Sequence, residues 1–312
     1  MQIRDFCIVG CLILSFASVA VGVQNVNNGQ NHIVLLRADK TPGYHSQAGY
    51  VLHRERFLAL ASKHYAEALS LDPPRHATEE QLARVYKFAP RLYVTPSEPF
   101  ELKDVAAIIH PDRPIIVYHL FWEDDIDYPN DNDPCDHEVI WVEYTTHREK
   151  VKNVYAYFHG RIIKAEAEAV REANAHQASP GIDVQWGKHG SLPHGWEDYD
   201  IVADQGDVEV GWLKLGVPIS MKVYMMGTYK KLHSVGRKDL NHPLARMWPK
   251  KFEGTYEDFT DFSVEVQARR LLEQKRFIRV SYWNNATIDQ HFLSYNFRPK
   301  VEWPAGFEPK RR

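Results

Sequence analysis

Residues 115–122 read Ile-Ile-Val-Tyr-His-Leu-Phe-Trp, and residues 139–146, after an acidic interval, read Val-Ile-Trp-Val-Glu-Tyr-Thr-Thr. Runs this short, dense in β-branched and aromatic side chains, read as strands. Residues 154–159, 182–186 and 217–226 have the same texture, and residues 277–283 and 292–297 add two more. Clusters of Pro, Gly, Asn and Asp separate them, which favours an antiparallel sandwich with long loops over a parallel α/β sheet. The expected fold class is mainly β: an antiparallel β-sandwich with an N-terminal helical extension and inserted helices.

The helices are read from spacing and from their ends. Residues 54–71 carry Phe57, Leu58, Leu60, Ala61, Tyr65, Ala66 and Leu69 at helical intervals, and Asp72-Pro73-Pro74 stops them. Thr78 followed by Glu79, Glu80 and Gln81 is a capped start for a second, short helix that ends before Pro90. Residues 162–178 and 262–275 read as further helices, and residues 299–312 as a basic tail.

At the N-terminus, Arg4 precedes an almost uncharged apolar stretch, followed by the small residues Ala17, Ser18 and Ala20 and a polar run at 25–30. This is the layout of a cleavable signal peptide over residues 1–22, and it gives way to polar residues too soon for a helix of roughly 20 apolar residues that spans a bilayer. The expected location is secreted or periplasmic. Removing the leader takes away Cys7 and Cys11 and leaves Cys135 alone, so the mature chain forms no intrachain disulfide. A composition of 44% hydrophobic and 12% aromatic residues allows a core to hold the fold instead. The expected organisation is a helical extension over 23–90 and a sandwich domain over 91–312, with no integral membrane span in the mature chain. A formal net charge of -3 offers no general attraction to phosphate backbones, so nucleic acid is set aside as a partner.

Between the two leading strands, Glu123, Asp124, Asp125, Asp127, Asp131, Asp133, Asp136 and Glu138 fall in one window without lysine or arginine. Crowded carboxylates repel, and a divalent cation relieves the repulsion; a solvated acidic loop is the competing reading. Asp136 and Glu138 stand two apart at a strand entrance, so strand alternation sends both side chains to one face. His159 ends the next strand, and a hairpin between the two strands brings its end back beside them. Oxygen ligands with one imidazole suit magnesium, calcium or manganese and suit structural zinc poorly. Further on, residues 187–194 read Gly-Lys-His-Gly-Ser-Leu-Pro-His. His189 projects from this turn either as a functional group or as an ordinary loop histidine. No Gly-x-Ser-x-Gly elbow surrounds Ser191.

In order, residues 118–122, the acidic loop, Asp136-His137-Glu138 before a strand, Phe158-His159-Gly160 and residues 187–193 form a series that resembles the NPP1-type necrosis-inducing proteins and the related Vps62-like proteins. The resemblance covers residues 89–193. It implies a β-sandwich in which Asp136, Glu138 and His159, with Asp127 or Asp133, surround a divalent cation, magnesium or calcium. His137 stands where that family has tryptophan, and residues 132–135 replace its Gly-His-Arg-His.

Three functions fit these residues. The first is a binding protein whose metal-organised loop recognises a glycan or a lipid headgroup, with Trp122, Tyr128, Lys188 and His189 as candidate ligand contacts and Trp186 and Trp196 as further aromatic surfaces. The second is a metal-dependent hydrolase using the same cation, with His137 or His189 moving the proton. The third is a structural envelope protein whose loop is rigidified by calcium.

Overall fold

The structure is a computed structural model that describes residues 21–26, 30–35, 41–126, 135–202, 216–234, 249, 251–266 and 268–309. Residues 1–20 of the expected leader, and Asp127, Tyr128, Asp131 and Asp133 of the acidic loop, lie outside the described residues. The chain divides into two compact units, the first ending at Pro73 and the second beginning at Pro74.

The first unit contains an antiparallel hairpin of β1 (Val21–Val26) and β2 (Gln30–Leu35), and two packed helices, α1 (Pro42–Arg54) and α2 (Leu58–Leu71). Thr41 caps α1 by accepting the Tyr44 N–H at 3.2 Å. Pro42 occupies the first turn, where its missing N–H has no intrahelical partner to lose. One helix was expected over 54–71. Instead Arg56 adopts a φ of 65°, which breaks the helical path between α1 and α2. The two helices meet closely at Gly49, where a β-carbon would overlap the Tyr65 ring.

The second unit is rich in β-structure and also carries several helices. A seven-stranded sheet runs in the order β3 (Arg75–His76), β15 (Ile278–Val280), β5 (Leu102–Ile109), β6 (Ile115–Trp122), β7 (His137–Thr145), β8 (Lys150–Phe158) and β9 (Arg161–Lys164). From β5 to β9 it is an antiparallel meander, with Tyr118 opposite Ile140 and Ile140 opposite Ala156. A four-stranded sheet runs in the order β11 (Ser191–Pro193), β10 (Gly181–Val184), β4 (Arg91–Val94) and β14 (Val264–Val266). Two contacts depart from the expected antiparallel pattern: β15 is parallel to β5, and β10 is parallel to β4.

Val105, Ala107, Ile116, Tyr118, Leu120, Ile140 and Val142 of the large sheet share one buried cluster with Leu92, Val94, Ile182 and Val184 of the small one. The helices α3 (Glu79–Phe88), α4 (Ala167–Ala175) and α7 (Ala268–Lys275) join it through Val85, Phe88, Ala169, Ala173, Ala268 and Leu272. The opposite face of the large sheet, with Ile115, Val117, Phe121, Val139 and Trp141, is covered by Phe277, Ile288, Phe292, Phe297, Trp303 and Phe307. Every residue of β6 is therefore buried, which is why its sequence is continuously apolar where a strand with one wet face would alternate.

Several expected elements differ. Residues 217–226 form only a short strand, β13 (Pro218–Ser220), paired with β12 (Asp200–Val202); α5 (Met221–Ser234) then begins. Met221, Tyr224, Met225 and Leu232 are its buried side chains, and their helical spacing outweighs the brief β pattern of Val217 and Ile219. Residues 292–297 are the end of α8 (Asn284–Phe292) and a tight turn closed by Asn296 at φ 57°. Their aromatics cap a core; they do not line a strand. Residues 162–178 split into the end of β9 and α4, and 262–275 into β14 and α7. The expected basic tail is in part core, since Trp303 and Phe307 are buried.

Candidate functional site

The turn joining β10 to β11 is built by its backbone. Gln185 O accepts the N–H groups of both Lys188 and His189, and Gln185 N–H donates to Gly190 O. Gly187 and His189 have φ values of 60° and 51°. For a histidine this left-handed conformation costs about 1–2 kcal/mol, so its surroundings must hold it there. Gly190 is glycine for a steric reason: a β-carbon would stand 2.8 Å from the Phe158 ring and 3.2 Å from His159 Nε2.

The held side chain is His189, buried between two carboxylates. Its Nδ1 lies 2.9 Å from Asp136 Oδ2 and its Nε2 3.2 Å from Glu98 Oε1. Two acceptor oxygens on the two ring nitrogens require two N–H donors, hence an imidazolium. Burial opposes that charge, but Glu98 and Asp136 outweigh it and push the His189 pKa up to about 10. The Trp122 ring stacks on the imidazolium, with centroids 4.3 Å apart and planes within 5°. Glu98 is fixed in turn by N–H groups of Gly187, at 2.9 Å, and Phe100, at 3.1 Å.

Beside this triad, on β7, stands Glu138. Its Oε1 lies 3.3 Å from Lys300 Nζ, while its Oε2 is buried without a hydrogen-bond partner. Burial pushes the Glu138 pKa up to about 8, with Asp136 adding to the effect and Lys300 opposing it. Lys300 is itself half-buried, which opposes its charge, yet Glu138 and Asp136 hold its pKa above the ordinary lysine value. Its ammonium also sits 4.7 Å from the centre of the Tyr157 ring. Lys300 therefore stays charged, and Glu138 is the member of the pair that titrates. With Glu138 protonated, Asp136 and Glu98 are balanced by His189 and Lys300. Ionising Glu138 leaves one negative charge in excess.

Not all residues expected at the site reach it. Asp136 and Glu138 stand together, close enough to act on each other's charge. His159 turns elsewhere, its Nε2 2.6 Å from Gln185 Oε1. Asp127, Asp133 and Tyr128 are outside the described residues. Lys188 approaches Asp125 at 4.0 Å. His137 faces the other side of β7, stacked on Phe121, with Nε2 3.0 Å from His119 Nδ1 and Nδ1 3.2 Å from Arg298 O. Trp122, Trp186 and Trp196 are at most 2% exposed, so the expected role of Trp122 as a ligand-stacking surface is corrected: it supports His189 from within the core. Among the described residues, no group of three or more His, Cys, Asp or Glu side chains is spaced to hold a metal ion.

Sequence reasoning missed Glu98 and Lys300. Glu98 sits in a loop 38 residues before Asp136, with no pattern to link them. Lys300 was hidden in an apparent tail, although Trp303 and Phe307 close behind it are a signal that this stretch is buried.

No family model matches the chain, and no curated protein matches it. Among solved structures it is similar to the crystal structure of Necrosis and Ethylene inducing Protein 2 from the causal agent of cocoa's Witches Broom disease. The identity is 15%, the match covers 38% of this chain and 73% of that one, and the TM-score is 0.27. The resemblance is partial, and at that score it carries no argument about function.

Proposed function

We propose that the protein binds a divalent cation, calcium or magnesium, through Asp136 and Glu138 at the base of the acidic loop, and that the cation organises the loop to recognise an oxygen-rich ligand such as a glycan or a lipid headgroup. One observation carries this reading: Glu138 keeps a buried, unpartnered carboxylate oxygen beside Asp136, in a cluster whose charges balance only while Glu138 holds a proton. A divalent cation replacing that proton cancels the excess negative charge and leaves one positive charge over, which a further aspartate of the acidic loop would neutralise, and a carboxylate oxygen is the donor that calcium and magnesium prefer. Asp136 arrives pre-oriented, because the Glu98–His189 pair holds one of its oxygens, as outer-shell partners do for metal ligands. The cation's contribution is charge and a fixed loop.

A hydrolytic role finds less support. His189 has both ring nitrogens committed to carboxylates, and His137 is buried on the opposite face of β7. Neither stands ready to carry a proton from water.

Calcium and magnesium titrations by calorimetry test the proposal, with Asp136→Asn and Glu138→Gln alongside. The expected result is one bound ion in the wild type and a loss of affinity in both variants. Wild-type protein that binds neither ion overturns it. A glycan array and headgroup-bearing vesicles, each probed with and without chelator, then test the second half: binding that ignores the chelator separates ligand recognition from the cation.

A further inference from the structure

We propose that the helix pair of the first unit carries a second, chemically distinct metal site, in which His45 of α1 and His64 of α2 chelate one transition-metal ion such as Zn2+. The two Nδ1 atoms stand 3.1 Å apart, with ring centroids at 5.2 Å and planes inclined by 37°. Two imidazole nitrogens on one tetrahedral ion, at bond lengths of about 2.0–2.1 Å, are about 3.3 Å from each other. The pair is thus set almost at the spacing one ion imposes. The structure brings together the rings of two residues 19 apart in sequence, one on each helix, and the close approach of α1 and α2 at Gly49 keeps them facing.

Without metal, the contact can be only a single hydrogen bond, in which one Nδ1 carries the proton and the other accepts it. An ion replaces that bond with two stronger ones. Both rings are only partly buried, which leaves a route for the ion from solvent. Tyr44 packs edge-on against both, at 5.2 and 6.1 Å, and limits their rotation. Among the described residues no third His, Cys, Asp or Glu side chain stands at ligand spacing, so water fills the remaining positions. Imidazole ligands select zinc, copper or nickel over calcium and magnesium, so this site and the carboxylate cluster take different ions.

The test uses the full chain, free of any polyhistidine tag and stripped of metal, titrated with Zn2+ in a calorimeter at pH 7.5. One equivalent of Zn2+ is expected to bind. His45→Ala and His64→Ala are each expected to weaken binding by more than the ~10–100-fold that follows loss of a ligand's hydrogen-bond partner, while Asp136→Asn leaves it unchanged. Circular dichroism checks that each variant is folded, and His45→Gln, close to histidine in size, stands in if His45→Ala is not. Two results overturn the proposal: wild-type protein that takes up no Zn2+, or binding that survives both histidine substitutions. Binding lost in Asp136→Asn but retained in His45→Gln places the ion elsewhere and overturns it too.

Discussion

Replacing Glu138 by glutamine should flatten the pH dependence of stability near neutrality. In the folded chain Glu138 titrates near 8, against an ordinary value of 4.5, because burial disfavours its charge. Between those values the folded chain holds nearly one proton more than the unfolded chain. Stability therefore falls as pH rises, by up to about 1.4 kcal/mol per pH unit. From pH 6 to 7.5 the folded carboxyl is still largely protonated and the unfolded one almost wholly ionised, so this one group should lower wild-type stability by about 2 kcal/mol. Glu138→Gln keeps the shape and removes the titration. Other groups titrate in the same window, but they cancel in the difference between the two proteins. Urea unfolding at the two pH values, followed by tryptophan fluorescence, measures it, and all eight tryptophans lie beyond residue 121, so the signal reports the second unit. If calcium binds at this carboxylate, saturating calcium should also flatten the wild-type slope. Equal slopes in wild type and variant, without calcium, would refute the burial argument.

Three further substitutions test the cluster and the turns near it. His189→Gln leaves Glu98 and Asp136 without their shared cation, and should cost about 3–5 kcal/mol in urea unfolding at pH 6. Since His189 titrates near 10 in the fold and 6.5 is its ordinary value, its contribution is complete below about pH 6.5 and disappears as pH rises through 10; a deficit that stays constant from pH 6 to pH 10 would contradict the doubly bonded imidazolium. Gly190→Ala drives a methyl into the Phe158 ring and should cost about 1–3 kcal/mol in thermal or urea unfolding. Gly195→Ala, at φ 79° with nothing within 4 Å, should lose only the backbone component of about 1–2 kcal/mol; equal losses at the two glycines would mean that the turn yields to the extra methyl.

The central meander was legible because burial on both faces wrote itself into the sequence. No polar alternation was needed to recognise 115–122 as a strand, and its antiparallel pairing with β7 then follows from the order of the chain. The capping box at Thr78 and Gln81 was equally local, and both of its hydrogen bonds are present. Two helices were missed on local grounds, and the rest of what failed to show depends on distant partners. α1 was overlooked, although Thr41-Pro42 is a helix start and Tyr44, Ala48 and Leu52 keep its period. α5 was read as a strand because Val217 and Ile219 imitate one. At the site, the pairing of Asp136 with Glu138 lay within three residues and could be read. Glu98, His189 and Lys300 reach the same place from three other parts of the chain, and only the folded structure joins them.

The parallel seat of β15 beside β5 has a consequence for synthesis. The strands β5 to β9 of the meander leave the ribosome more than a hundred residues ahead of the layer that covers one of their faces, which runs from Phe277 to Phe307. Until then Ile115, Val117, Phe121, Val139 and Trp141 present a bare apolar wall, and β5 has an unpaired edge where β15 will dock. Sequence-distant pairing of this kind forms slowly, and exposed sheet faces and edges are where nascent chains associate wrongly. A product cut short before Phe277 keeps the meander's sequence while lacking its lid, so residues 277–307 act on this protein as a built-in chaperone for the sheet they close.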